Sequence, residues 1–474
     1  MSGAVRALLL VLSLPALGGA QTPTLTPCTI QGLDGDVRCG VVQVPENRAR
    51  PATRQLDIAL VVARATGSPR EPDPIVFLTG GPGQAGSEGG GFANQAFGAV
   101  RRHRDLILID PRGTGRSNGL LCAMTRRPED IGRPTLYVPE SVRACRDSLS
   151  RHADLTQYTT ANIADDLEAV RRAFGWPALN LYGTSYGTRL ALVYARRHPA
   201  SVRTMVLKAV APPEMIVPMN YAVDAEQAFR LLERDCLAQS SCASAFPNVR
   251  ADLDTVLTRA AAGTLTAQVP WKESNVSVTL SRDVIAAVIM SAMQSANQRI
   301  EIPALLREAS AGDPSRLAAQ VAAYRTGVER GIAIGMHLSV LCGEDAPKLD
   351  LAAARRDDGH TFLGSSRVRM LAEACREWTV PPATPHANDP VESEVPVLLV
   401  SGELDPNTAA RHAEGALRHL PNGRHVVLKG VAHGWTNVVA CGSAFVADFV
   451  ARASTDGLDV SCAEQSSAPP FRTP

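Results

Sequence analysis

Short runs of apolar residues, each closed by a turn of Gly, Pro, Asp or Ser, alternate through the first part of the chain with segments of helical period. Gly40 to Val44 and Leu56 to Ala63 read as an antiparallel pair that opens a sheet. Pro74 to Leu78, Asp105 to Asp110, the run from Leu179 and Val202 to Val210 are continuous apolar strands of the kind buried on both faces. Between them, Ile163, Leu167, Val170 and Phe174 fall on one face of a helix over Thr160 to Phe174, with Thr160 as its N-cap. Thr188 to Arg197 has no breaker before Pro199 and reads as a second helix. From Ala211 the rhythm changes. Pro212, Pro213 and Pro218 interrupt it, and residues 213–390 are mostly helical in period, over Ala225 to Asp235, Ala251 to Ala262, Arg282 to Gln294 and Ser315 to Gly327. That is too long for a loop and reads as a helical cap domain inserted into the core. The core resumes over 391–462 with a strand at Val395 to Val400, a helix at Thr408 to Leu420, a strand at Arg424 to Leu428 and a closing helix around Phe445 and Phe449. The pattern predicts an α/β fold: a mostly parallel sheet, helices on both faces, and a large helical cap.

Composition narrows what this fold carries. At 474 residues the chain can bury a large core, and its formal net charge of +1 offers no reason to expect nucleic acid. Residues 1–20 combine Arg6, an apolar run and a Gly18-Gly19-Ala20 end, the pattern of a cleavable signal cut after Ala20, which leaves no membrane anchor on the mature chain. All ten cysteines follow that point, an even number that suits disulfides in an exported protein. They fall in neighbouring couples, so the expected pairing is 28 with 39, 122 with 145, 236 with 242, 342 with 375, and 441 with 462. Neither C-x-x-C nor H-E-x-x-H occurs, so no metal is expected. Residues 463–474 are polar and are expected to be disordered.

The chemistry gathers where strands end. Gly183-Thr184-Ser185-Tyr186-Gly187 is a G-x-S-x-G elbow, which lifts a serine off a strand in a strained turn. The N–H of Tyr186, first in the following helix, is one candidate oxyanion donor. Gly80-Gly81-Pro82-Gly83 closes another strand with a backbone open to close approach, and Gly81 is the second candidate. Asp405 follows a late strand and His433 follows the last. Ser185, Asp405 and His433 thus stand in the order Ser, Asp, His of an α/β-hydrolase triad: nucleophile, orienting acid and general base. Glu403 is the rival acid. Arg112 and Arg116, in the loop after the Asp105 to Asp110 strand, read as structural.

These motifs together, with Asp110 to Ser117, Gly402 to Asp405 and His433-Gly434, resemble the prolyl iminopeptidase and tripeptidyl-aminopeptidase family of α/β-hydrolases, particularly its exported members. The resemblance runs from about Cys39 to Cys441. It implies an exported serine exopeptidase, secreted or periplasmic, that takes an amino acid or short peptide from a free N-terminus, with no cofactor. Thr79 stands where iminopeptidases usually have His, and Lys208 where relatives often have Asp, which bears on substrate choice. A substrate ammonium needs an anion near the site, and Glu344 and Asp345 are the candidates. An esterase on the same scaffold is the alternative, followed by a non-enzymatic binding protein. Oligomeric state is not legible.

Overall fold

The computed structural model describes residues 23–434 and 439–473. The expected signal over 1–20 lies outside the described residues. Among the described residues one sheet has nine strands. It begins with β1 (Thr26–Pro27), β2 (Val37–Pro45) and β3 (Gln55–Ala63), antiparallel to their neighbours, and continues with β4 (Ile75–Leu78), β5 (Leu106–Ile109), β6 (Leu179–Thr184) and β7 (Val202–Lys208). A small antiparallel hairpin, β8 (Thr266–Trp271) with β9 (Ser274–Thr279), stands apart, and β10 (Val397–Gly402) and β11 (Gly423–Leu428) complete the main sheet. The order is β1-β2-β3-β5-β4-β6-β7-β10-β11, with β5 through β11 all parallel. Parallel strands bring their carboxyl ends to one edge, the edge where such sheets bind ligands.

The two-residue period of the strands divides their side chains between two cores. Val76, Leu78, Ile107, Leu181, Leu207 and Leu399 point to one face, under the helices Thr160–Phe174 and Tyr186–Arg197. Phe77, Leu108, Tyr182, Val206, Leu398 and Val400 point to the other, under the helices Gly90–Phe97 and Val439–Arg452. Both cores are closed, which is why these strands are apolar on both faces through their central positions.

The insertion between β7 and β10 has its own core, built on Phe229, Leu232, Leu253, Ile285, Leu306 and Val321. The β8-β9 hairpin belongs to it, a feature the helical period did not announce. Within the span 213–390 expected to be cap, Ile334, Leu338, Met370 and Trp378 pack into the first sheet core, while Phe362 and Leu363 stay with the cap core. The helix Ile334–Glu344 therefore returns the chain to the sheet well before β10.

The ten cysteines form the five expected neighbouring pairs, 28–39, 122–145, 236–242, 342–375 and 441–462. No helix among the described residues is long and apolar enough to cross a membrane. The expectation of a disordered tail is corrected. Residues 461–465 are helical, and Phe471 is buried in the cap core, its ring under the Arg299 guanidinium 5.1 Å from the centroid. The Phe471 N–H donates to Gln239 Oε1 at 2.8 Å, Gln239 Nε2 returns a bond to the Phe471 carbonyl at 3.0 Å, and Arg472 pairs with Glu301. An apolar ring eight residues into a polar stretch was enough to anchor it.

Candidate active site

Ser185 sits directly after β6 at φ 56° and ψ −124°, a conformation unfavourable to a residue with a side chain and held by its surroundings. Its N–H donates to the Lys208 carbonyl at 3.0 Å, and its own carbonyl accepts from the Thr188 N–H and hydroxyl. The flanking glycines are required by contact. A Cβ on Gly187 would stand 2.1 Å from the Leu78 carbonyl oxygen, and one on Gly183 would stand 2.4 Å from that of Gly187. The elbow is thus wedged between β4 and its own helix. The helix Tyr186–Arg197 begins at the next residue, so its first N–H groups face the serine.

Two strands further along the sheet, Asp405 follows β10, and beyond it His433 follows β11. His433 Nδ1 lies 2.8 Å from Asp405 Oδ2. The carboxylate is fully engaged: Oδ1 accepts from the backbone N–H groups of Asn407 and Thr408, and Oδ2 from the Thr408 hydroxyl at 2.7 Å. Burial alone would raise its pKa, but the His433 ring and the Thr408 donors prevail and hold Asp405 well below the usual carboxylate range. An ionised Asp405 can only accept, so Nδ1 of His433 carries the hydrogen and Nε2 is left basic. Glu403, the rival acid, is turned away and accepts the Gly430 N–H at 2.9 Å.

Gly81 lies after β4 at φ 112°, in a loop tied down by Gln84, whose Oε1 accepts the Gly80 N–H and whose carbonyl accepts the Thr79 hydroxyl. A Cβ on Gly80 would come within 3.1 Å of the Ser185 Cβ, so this loop and the elbow are in contact. Arg112 is buried and structural, as expected, forking onto Asp166 at 2.6 and 2.7 Å. Lys208, at the end of β7, donates to the His433 carbonyl and thereby fixes the histidine loop. Burial lowers its pKa to about 8, against the pull of Asp405.

Glu344 and Asp345, the expected ammonium receptors, are both buried and bonded within the protein. Asp345 is wholly buried, accepts both terminal nitrogens of Arg189 at 2.8 and 3.2 Å, and takes the Val217 N–H at 2.8 Å. Glu344 accepts the Thr160 N–H and hydroxyl, each at 2.7 Å, and burial pushes its carboxyl up. Asp345 joins the returning chain to the elbow helix, and Glu344 joins it to the start of the helix Thr160–Phe174. This also corrects the helix start: Thr159 is the N-cap, accepting from the Asn162 N–H, while Thr160 serves Glu344 and the Tyr186 hydroxyl.

Above Gly81 and Asn407 a cavity of about 430 Å³ opens between the core and the cap. Tyr137, Tyr221, Tyr324, His337 and Arg367 line it, none of them marked by a sequence motif. His337 Nδ1 lies 2.8 Å from the Pro82 carbonyl, which can only accept, so Nε2 receives the Tyr137 hydroxyl at 2.7 Å. Burial lowers His337 to about 4, so the ring is neutral near pH 7. The Asn407 Oδ1 is buried and has no hydrogen-bond partner among the described residues.

A family model described as the alpha/beta hydrolase fold matches residues 73–434. The chain belongs to this family. Its relatives include the tripeptidyl aminopeptidase of Streptomyces coelicolor, 28% identical over 92% of this chain and 84% of that one. The serine protease Hip1 of Mycobacterium tuberculosis is 29% identical over 48% of this chain. The match spans 47% of Hip1, so the chain covers about half the length of that relative. A proline iminopeptidase of Xylella fastidiosa is 30% identical over 29% of this chain and 32% of its own. This α/β hydrolase is therefore similar to proteins named as peptidases, and the sequence resemblance pointed to the same group.

Proposed function

We propose that this α/β hydrolase is an exported serine exopeptidase that releases an amino acid or short peptide from free N-termini through an acyl-enzyme on Ser185. The observation that carries the reading is the His433–Asp405 pair at 2.8 Å on the same sheet edge as the strained serine. In this reading His433 Nε2 takes the Ser185 hydroxyl proton as Oγ attacks the scissile carbonyl. Asp405 holds the tautomer and stabilises the imidazolium, and the N–H groups of Gly81 and Tyr186 receive the oxyanion. His433 then protonates the leaving amine, and water, deprotonated by the same nitrogen, frees the acyl product. The names of the relatives support a peptidase over an esterase. With Glu344 and Asp345 occupied, the substrate amine is left to neutral acceptors of the cavity, the Asn407 Oδ1 among them. Five disulfides support export to an oxidising compartment.

The test is hydrolysis of free-amine aminoacyl, prolyl and tripeptidyl amides, their N-blocked counterparts and short p-nitrophenyl esters, by the chain from Gln21 and by Ser185→Ala. Turnover of free-amine amides is expected, lost on blocking and reduced about 10⁴-fold or more by Ser185→Ala. Ester turnover with no amide turnover would replace the peptidase by an esterase.

A further inference from the structure

The cavity between core and cap carries a cation and no anion. Arg367, second residue of the helix Ser366–Glu377, lies on its wall. Its Nη1 donates to the Tyr324 hydroxyl at 3.2 Å and lies 4.0 Å from Met370 Sδ, while its Nε is buried without a partner. No carboxylate lines the cavity among the described residues, and the four between Gly434 and Val439 that are not described (Trp435, Thr436, Asn437, Val438) include no acid. The other polar groups facing Arg367 are the hydroxyls of Tyr137 and Tyr221 and the His337 ring, all uncharged near neutrality.

Other buried guanidinium groups meet a carboxylate or several backbone carbonyls. Arg112 forks onto Asp166, Arg189 onto Asp345, and Arg299 reaches Asp235 at 2.7 Å. Arg325, which has no acid, donates from Nε and Nη2 to the carbonyls of Ile131, Arg133 and Thr135, although its Nη1, like that of Arg299, is buried without a partner. Arg367 has neither solution. Arg367 is half-buried on the cavity wall, its Nε is closed off without a partner, and its charge meets only neutral groups, an arrangement that an arriving anion would complete. Its planar fork of donors fits a carboxylate, and pairing in a partly enclosed site is stronger than in water.

We propose that Arg367 is a specificity residue of this cavity, pairing with a carboxylate carried by the substrate. The proposal rests on the peptidase reading for the location of the reacting bond and goes beyond it in naming the substrate's charge. Two peptide carboxylates share this chemistry: an acidic side chain on the released portion, and the free C-terminus of a short peptide.

The experiment separates these sources. In the first arm, tripeptidyl p-nitroanilides bearing Glu are compared with the same compounds bearing Gln, so that the side chain is the sole carboxylate. In the second, short neutral peptides are compared with their C-terminal amides. In each arm wild type, Arg367→Gln and Arg367→Lys are assayed, and the same pairs are titrated calorimetrically into Ser185→Ala. In at least one arm the carboxylate compound is expected to be favoured about tenfold or more in kcat/KM, through KM. Arg367→Gln should bring that ratio near one, and Arg367→Lys should restore part of it. Ratios near one in both arms for wild type, or a preference that survives Arg367→Gln, would overturn the proposal. The wild-type ratios decide the matter even where Arg367→Gln fails to fold. A carboxylate preference in binding to Ser185→Ala without any peptide hydrolysis by wild type would uphold the pairing and overturn the peptidase reading alone.

Discussion

Asp345→Ala tests whether the acids at the end of the helix Ile334–Glu344 hold the elbow rather than the substrate. The substitution removes the acceptor of two guanidinium bonds from Arg189, at 2.8 and 3.2 Å, between buried side chains, and of the Val217 N–H at 2.8 Å. Arg189 keeps the Met215 carbonyl at 2.6 Å and Glu344 at 4.0 Å, too little to neutralise it. Leaving a buried charge without its partner costs about 3–5 kcal/mol. With a urea dependence of about 3 kcal/mol/M, the midpoint should fall by about 1 M or more. Urea unfolding followed by tryptophan fluorescence measures this, beside KM for a free-amine amide. The double variant Arg189→Met with Asp345→Leu removes both charges and should recover much of the loss, because an apolar pair of similar volume needs no partner. An unchanged midpoint with a raised KM would refute the structural role and restore Asp345 as the ammonium receptor. A double variant as unstable as the sum of the singles would refute the pairing.

Three other outcomes follow from named contacts. Gly187→Ala drives a Cβ to 2.1 Å from the Leu78 carbonyl, so it should cost more than the ~1–3 kcal/mol of ordinary overpacking and abolish turnover, read by Tm and activity together. Burial lowers Lys208 from its usual 10.5 to about 8, so above pH 8 the unfolded chain binds more protons than the folded one and stability should rise with pH until about 10.5; Lys208→Met should flatten that rise in urea midpoints taken on either side of the window. Replacing Cys342 and Cys375 by Ser frees a 33-residue loop and should cost about 3–4 kcal/mol in the same unfolding assay.

The parallel strands and the elbow were legible because their constraints are local. A strand covered on both faces must be apolar throughout, as Val397 to Val400 is, and Gly183 and Gly187 mark positions where a Cβ would strike the backbone. The hairpin of β8 and β9 was not legible, since only Val269 and Val278 of its twelve residues are deeply buried and two positions make no period. The partners of Glu344 and Asp345 were not legible for a different reason. An acid shows its charge in sequence, but whether that charge is already met depends on Arg189, 156 residues away. Arg367 is the converse case, one arginine among several in its helix, distinguished by the carboxylate it lacks.

The clasp between the C-terminal segment and the cap constrains the order in which the molecule can be finished. Phe471 and Gln239 bond across 232 residues of chain, and the ring fills a core whose other members were all synthesised before β10. During synthesis the cap core must wait, incomplete, until Phe471 emerges. A product truncated before Phe471 would meet the folding machinery with an apolar gap beside Arg299, so the segment from Ser461 to Phe471 is structurally part of the cap although it is distant from it in sequence.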